Sequence, residues 1–150
     1  PHARLAVIGT GPLEEQLRSE IGHLGLEKNI DLLGFRDHKP KYEIFKQSKL
    51  VLHPATYDSG GMAAAEAMAW GLPGVSFDLE TLKTCYPKGM VKTKCFEISE
   101  FAENILKLIM DQSYYELNSR EALELIEEKW DWDHRADWVH NQIVNHSSKT

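Results

Sequence analysis

The feature that most constrains the fold of this chain is the alternation of short apolar runs with segments of helical periodicity. Each apolar run is followed by glycine or polar residues, and together they predict four strands, at Arg4–Ile8, Ile30–Leu33, Leu50–His53 and Gly74–Phe77. The periodic segments predict helices at 13–24, Pro40–Gln47, Gly60–Trp70, 99–109, Tyr114–Lys129 and 132–143. Such alternation builds right-handed βαβ units, so the pattern predicts an α/β fold in which helices flank a parallel sheet.

The predicted helices carry expectations about burial and capping. The first helix has one apolar stripe that is expected to be buried, formed by Leu13, Leu17, Ile21 and Leu24. Tyr42 and Phe45 are expected to be the buried face of the second helix. Ser99 is the expected N-cap of the helix that contains Phe101, and Asp131 or Asp133 that of the last helix.

The remaining segments define the expected domain organisation. Residues 78–94 are predicted to form a loop with a brief strand at Met90–Lys92. The chain of 150 residues has no repeat and no linker, so residues 1–145 are predicted to form one domain, followed by a frayed tail at 146–150.

Charge and cysteine content narrow the class of protein. Seventeen Lys and Arg stand against 23 Asp and Glu, for a net charge of −6. Nucleic-acid binding draws most of its affinity from neutralising phosphates, so no nucleic-acid partner is expected. The chain shows no export leader and no membrane-spanning apolar run, which predicts a cytoplasmic protein. Cys85 and Cys95 match no zinc spacing and are expected to be reduced thiols rather than a disulfide.

Glycines and polar residues cluster in the segments that directly follow the predicted strands. These segments are residues 9–12, 34–37, 53–61 and 78–80. The carboxyl ends of parallel strands meet at one edge of a sheet, and ligands bind there. The sequence therefore predicts a binding edge made by these loops.

The segment from Tyr57 to Met68 is the most informative of them. Gly60 and Gly61 stand where a loop becomes a helix, and without Cβ atoms they would let an anion approach the backbone amides. Glu66 lies among alanines in the same helix, which predicts a partly desolvated carboxylate that needs donors such as two ribose hydroxyls. From the residues alone, a pair of capping glycines and a Glu paired with Lys or Arg explain the segment equally well.

Four collinear motifs resemble one enzyme family. Asp58 and Glu66, with the run Glu66-Ala-Met-Ala-Trp-Gly-Leu-Pro73, resemble the acid-x7-Glu and E-A-M-A-x-G-x-P motifs of retaining GT-B-fold glycosyltransferases, the group of glycogen synthase and sucrose synthase. Three further stretches resemble that family in the same order, Ile8–Leu13, Ile30–Phe35 and Trp130–Trp132. The resemblance implies the C-terminal, donor-binding, Rossmann-like half of a two-domain enzyme, without the first βα unit of that half.

The resemblance also implies roles for individual residues. Glu66 would hold the ribose hydroxyls of the nucleotide, and Asp58, the residue expected to be catalytic, would face the hydroxyls of the donor sugar. The other expected contacts with the nucleotide sugar are Gly9, Gly11, Phe35, Arg36, Gly60, Gly61 and Met62. For Phe35 a packing role is weighed ahead of base stacking, because most aromatic side chains are buried. His53 is expected to be structural.

The sequence departs from the family in two ways. Asp58 stands where the family has Glu and is one methylene shorter, which changes its reach to the sugar. The family's Arg and Lys for the diphosphate belong to a segment upstream of Pro1, so we expect a fragment whose acceptor-binding half lies in the same polypeptide and brings it to a membrane surface. Alone, it is expected to bind a nucleoside diphosphate sugar but not to transfer the sugar to its unknown acceptor.

The resemblance implies a mechanism with few protein groups. Cleavage of the sugar–phosphate bond would place negative charge on the leaving diphosphate, which helix N-terminal amides would stabilise. Transfer would retain the configuration of the sugar, with the leaving phosphate deprotonating the acceptor. No metal or other cofactor is expected.

Two other classes of function stay open. Gly9-Thr10-Gly11 with Asp31 some 20 residues on is a partial nicotinamide-binding pattern, but Glu14 stands where the third glycine is required, which argues against an oxidoreductase. The other class is a non-catalytic nucleotide-binding module or a phospho-receiver. A receiver needs an acidic pair after its first strand, where this chain has Ile8 and Gly9.

Overall fold

The structure, a computed structural model, describes residues 3–147 and shows two compact units. The first unit ends at Gln47 and the second begins at Ser48. The elements of the first are β1 (Leu5–Ile8), α1 (Glu14–His23), β2 (Ile30–Gly34) and α2 (His38–Gln47). The two strands pair in parallel, as the βαβ pattern predicts, with a register shift between Val7 and Ile8.

The second unit holds a three-stranded parallel sheet in the order β3-β4-β5. Its elements are β3 (Val51–His53), α3 (Met62–Met68), β4 (Gly74–Phe77), α4 (Glu80–Cys85), β5 (Met90–Thr93), α5 (Ile98–Met110), α6 (Gln112–Lys129) and α7 (Trp132–Ser147). Every residue of the central strand β4 is buried, because a parallel strand between two neighbours is covered on both faces.

Two apolar clusters form the core of the second unit. The first combines α3, α4 and α6 with β5, and its buried members are Ala64, Ala65, Met68, Leu82, Tyr86, Met90, Ala122 and Leu125. The second lies on alternate residues of β4 and on α5, with Val75, Phe77, Phe101 and Leu108 buried. The period of two along β4 assigns Val75 and Phe77 to the same cluster.

The first unit buries far less apolar surface than the sequence predicts. No residue of α1 is buried, and the side chains of Leu13, Leu17 and Leu24 are exposed. Phe45 of α2 is buried as predicted, whereas Tyr42 is 37% exposed. Two strands offer too little apolar surface within the described residues to cover the predicted stripe of α1.

Two local predictions are wrong and one is confirmed. Residues 80–85 form helix α4 instead of the predicted loop, and the helix that contains Phe101 begins at Ile98, so Ser99 is not its cap. Helix α7 ends at Ser147, and the rest of the predicted tail, residues 148–150, lies outside the described residues. Asp131 caps α7 as predicted, since its carboxylate accepts hydrogen bonds from the amides of Asp133 and His134.

Two further observations concern the state of the cysteines and the character of the helices. Cys85 and Cys95 are both free thiols, as the sequence predicts. None of the helices in the part of the chain described has the length and apolar character that crossing a membrane requires.

Candidate functional site

The loops after β1 and β2 lie at the same edge of the first unit's sheet. The amide of Gly9 donates to the carbonyl of Gly34 at 2.9 Å, and both glycines have positive φ, +133° and +66°. A cavity of about 320 Å³ lies beside this edge and is lined by the 9–14 segment together with Val7, Ile8, Leu17 and Leu32. Gly9 and Gly11 thus line one cavity, and because they carry no side chain a ligand can approach their backbone.

Phe35 and Arg36 follow β2 at the same edge. The ring of Phe35 is 70% exposed, so the interpretation of Phe35 as a packing residue is wrong. Gly34 has a positive φ and is the last residue of β2, so Phe35 lies in the loop that follows the strand. Arg36 is exposed, and its Nη1 donates to the carbonyl of Phe35 at 2.9 Å.

In the second unit, Asp58 organises the loop that joins β3 to α3. One carboxylate oxygen, Oδ1, accepts a hydrogen bond from the amide of Gly60 at 2.6 Å and another from the amide of Gly61. The other oxygen, Oδ2, lies 2.8 Å from Nε2 of His53 at the end of β3. The side chains of Asp58 and His53 are only 19% and 15% exposed, so these contacts are largely shielded from water.

These contacts determine the charge of Asp58. Burial by itself would raise the pKa of this carboxyl, but the hydrogen bonds from the Gly60 and Gly61 amides and from His53 outweigh it, and the pKa lies below its ordinary value. Asp58 is therefore an ionised acceptor at neutral pH. Its first partners are the loop's own amides, and its expected contact with the donor sugar stays a prediction.

Gly61 lies between this loop and the second unit's core. It is buried with φ +63°, and a Cβ atom placed there would lie 3.0 Å from Cε2 of Tyr86 and 3.1 Å from a methyl carbon of Leu82. The Tyr86 hydroxyl donates toward the carbonyls of Gly60 and Gly61, at 2.8 and 2.7 Å. No sequence motif indicates a role for Tyr86, and no local signal can reveal these contacts, which join residues 25 and 26 positions apart.

Helix α3 presents Met62 and Glu66 on its exposed face. Met62 is 50% exposed and Glu66 is exposed, whereas Ala64, Ala65, Ala67 and Met68 are buried on the opposite face. The expectation of a partly desolvated Glu66 is therefore wrong, because Ala64, Ala65 and Ala67 pack inward and leave the carboxylate on the other side of the helix. Residues four apart share a helix face, so Met62 and Glu66 lie one turn apart on the same face. Helical side chains tilt toward the N-terminus, so that of Glu66 leans toward the start of α3.

A cation of β5 supports the same region. The Nζ atom of Lys92 donates to the carbonyl of Tyr86 at 2.8 Å and to that of Met90 at 3.0 Å. Burial lowers the pKa of this ammonium group to about 8, with the charge of Asp78 opposing the shift. Lys92 therefore holds the end of α4 and the backbone of Tyr86 in place.

Sequence-predicted residues thus gather in two places, each described within its own unit. Gly9, Gly11, Phe35 and Arg36 lie at the carboxyl edge of the first sheet, and Asp58, Gly60, Gly61, Met62 and Glu66 lie after β3 in the second unit. Asp31, the acid of the partial nicotinamide-binding pattern, is paired with Arg4 at 2.6 Å. Among residues 3–147, no group of three or more His, Cys, Asp or Glu side chains could hold a metal ion.

Comparison with known sequences yields one family. The family model described as "Glycosyl transferases group 1" matches residues 1–129 of this chain. A curated relative, poly(glycerol-phosphate) alpha-glucosyltransferase of Bacillus subtilis, is 26% identical over 150 residues that cover 96% of this chain and 22% of that protein. The chain therefore spans less than a quarter of the length of this relative.

Solved structures show the same fold. Sucrose-phosphate synthase from Thermosynechococcus elongatus superposes with a TM-score of 0.81 at 17% identity, covering 97% of this chain and 39% of that one. The Anabaena protein HepE, in complex with UDP and glucose, superposes with a TM-score of 0.80 at 24% identity, covering 100% of this chain and 41% of that one.

Proposed function

The chain belongs to the group 1 glycosyl transferases, and on that premise we propose that it is the donor-binding half of an enzyme that transfers a sugar from a nucleoside diphosphate with retention of configuration. The rest of the polypeptide would supply the acceptor-binding half. HepE, a structural neighbour, was solved with UDP and glucose, which supports a nucleotide-sugar donor for this chain as well.

The observation that carries this proposal is the organisation of the Gly60–Gly61 loop. The loop leaves β3 at the carboxyl edge of a parallel sheet, turns through a left-handed glycine and opens α3. The first amides of a helix have no acceptor within it, so Met62 and Ala63 can offer N–H groups to a diphosphate. Glu66, one turn further on the exposed face, is a carboxylate within the same helix that can accept hydrogen bonds from ribose hydroxyls.

The proposed mechanism uses this chain to bind and orient the donor. When the sugar–phosphate bond breaks, the electron pair goes to the leaving diphosphate, and the N-terminal amides of α3 stabilise that charge. The leaving phosphate accepts the proton of the acceptor hydroxyl as the new glycosidic bond forms on the same face. We propose that no metal and no protein nucleophile take part. Positioning the acceptor requires the other half, so binding rather than turnover is the property to measure on this chain.

Nucleotide binding is the direct test of this proposal. We expect UDP, GDP or ADP to bind with a Kd of about 0.1–1 mM, since the family's diphosphate-binding Arg and Lys are proposed to lie outside this chain. Amide shift changes in an NMR titration should concentrate in residues 9–12, 35–36 and 58–66. Shifts confined to the opposite ends of the strands would contradict the proposal. Parallel titrations with NAD and acetyl phosphate distinguish the oxidoreductase and receiver alternatives.

The Glu66→Gln variant should separate binding from stability. Loss of one charge-assisted hydrogen bond to ribose weakens binding by about 1.5–3 kcal/mol, or roughly 10- to 150-fold. Because Glu66 is exposed, the melting temperature should change little.

The matched control is Glu103→Gln, the same substitution at an exposed position on α5. It should leave the UDP affinity and the melting temperature at their original values. A Glu66→Gln variant that melts earlier but binds UDP as the unsubstituted chain does would show that Glu66 is a structural ion-pair partner instead.

A further inference from the structure

We propose that Tyr86 is a positioning residue for the donor site: its hydroxyl fixes the peptide groups of the Gly60–Gly61 loop, and so aims the amide of Met62. This inference rests on the proposed function, because it concerns the amides that would face the diphosphate. The side chain of Tyr86 is fully buried, so the proposed role acts through the loop backbone.

The two glycines are held from both sides by side chains. Asp58 accepts from their amides, and the Tyr86 hydroxyl lies 2.8 and 2.7 Å from their carbonyl oxygens. The single hydroxyl hydrogen is shared between the two acceptors, which are adjacent along the chain. Burial raises the pKa of this phenol well above its ordinary value, so the group remains a donor throughout the neutral and mildly alkaline range.

Planarity of the peptide bond links these contacts to the site. The Gly61 carbonyl and the Met62 N–H belong to one rigid plane and point in opposite directions. A donor that fixes the carbonyl therefore also fixes the direction of the Met62 N–H. The Tyr86 hydroxyl shares the Gly61 carbonyl with the amides of Ala64 and Ala65, which lie 2.8 and 3.1 Å from it. In the preceding peptide plane, the Gly60 carbonyl accepts from Tyr86 while the Gly61 N–H donates to Asp58, so both ends of that plane are held.

The position of the hydroxyl is itself fixed by the core. The Tyr86 ring is fully buried and stacks on Trp130 with ring centroids 5.9 Å apart and an interplanar angle of 17°. Lys92 holds the Tyr86 carbonyl at 2.8 Å. The Gly61 backbone also fits directly against the ring, since even one added Cβ would lie 3.0 Å from Cε2. The core thus gives the loop a rigid reference point, which preorganises donors at a binding site.

The Tyr86→Phe variant tests the proposal, because it removes the hydroxyl and retains the stacked ring. In the 150-residue chain, we expect amide hydrogen exchange at Gly60 and Gly61, whose amides donate to Asp58, to become faster. The NMR shifts of Gly60, Gly61 and Met62 should change before any ligand is added. UDP affinity should fall about three- to tenfold, the equivalent of one ordinary hydrogen bond. The control is Tyr115→Phe, the same change at a partly buried tyrosine on α6. It should leave both loop exchange and UDP affinity unchanged.

Each outcome decides between explanations. A lower melting temperature with unchanged loop exchange and UDP affinity would overturn the proposal and leave Tyr86 a core residue only. If the unsubstituted chain binds none of UDP, GDP and ADP, the proposed function fails; loop exchange, which needs no ligand, still decides whether Tyr86 anchors the glycines. Faster exchange without any effect on UDP affinity would overturn the positioning role.

Discussion

Gly89→Ala is expected to lower the free energy of unfolding by about 2–5 kcal/mol. Gly89 is buried just before β5 with φ +70°, a conformation that costs an alanine about 1–2 kcal/mol. The added Cβ would lie 2.5 Å from the amide nitrogen and 2.6 Å from the Cα atom of Ala122. Both atoms belong to the backbone of α6, so no side-chain rotation can relieve the overlap.

Gly71→Ala is the matched control for this prediction. Gly71 has φ +75° and also lies against α6, but its added Cβ would approach no atom closer than 3.4 Å, and the nearest atoms belong to the Ser119 and Leu123 side chains. Only the backbone cost of about 1–2 kcal/mol should then appear. Urea unfolding followed by tryptophan fluorescence measures both variants, because all four tryptophans lie in the second unit. Equal losses in the two variants would contradict the overlap with α6.

Asp58→Ala is expected to lower the free energy of unfolding by about 2–4 kcal/mol, since it leaves the Gly60 and Gly61 amides without their acceptor. Asp58→Asn retains an oxygen that accepts from these amides and loses only the charge. The free energy of unfolding should therefore fall by less, about 1 kcal/mol. If both variants unfold at the urea concentration of the unsubstituted chain, Asp58 does not hold the loop.

The contribution of Asp58 should also depend on pH in a defined direction. The pKa of its carboxyl is lower in the folded chain than the ordinary value of 3.8, so between these two values the unfolded chain binds the proton and the folded chain does not. The stabilisation is therefore complete above about pH 4–5 and is lost as the pH falls through the folded pKa. The stability difference between the unsubstituted chain and Asp58→Ala should shrink on acidification from pH 6 to pH 3. A constant difference would contradict an ionised, hydrogen-bonded carboxylate.

The Asp58 variants and Glu66→Gln are expected to show that Asp58 and Glu66, the two acids of one motif, have different roles. Asp58 is enclosed by loop amides and His53, so its substitution should lower the free energy of unfolding. Glu66 is exposed on α3, so its substitution should weaken nucleotide binding. The substitution of Asp for the family's Glu fits the first task, because the shorter side chain closes a turn with amides two and three residues ahead.

The elements that the sequence predicted well are those with a strong local signal. The strands β1 to β5 and the helices α3 and α6 were predicted from short apolar runs, glycine stops and helical spacing, with boundaries off by one to a few residues. Helix α4 was missed because only Leu82 of its six residues is buried, which is too few positions to show a period. The predicted exposure of Phe35 and Glu66 is wrong because burial depends on which elements pack against a side chain. The residues next to it in the sequence do not reveal those elements.

The sequence by itself determined the α/β class, the parallel pairing, the loops that form the candidate site, and the family to which these motifs belong. All of these depend on residues close together in the chain, where spacing and backbone preference act. Only the tertiary structure decided that Tyr86 holds the carbonyls of Gly60 and Gly61. It also decided that Gly89 lies against the backbone of α6. The physical reason is that both contacts join residues 25 or more positions apart, and they form only after the core has packed.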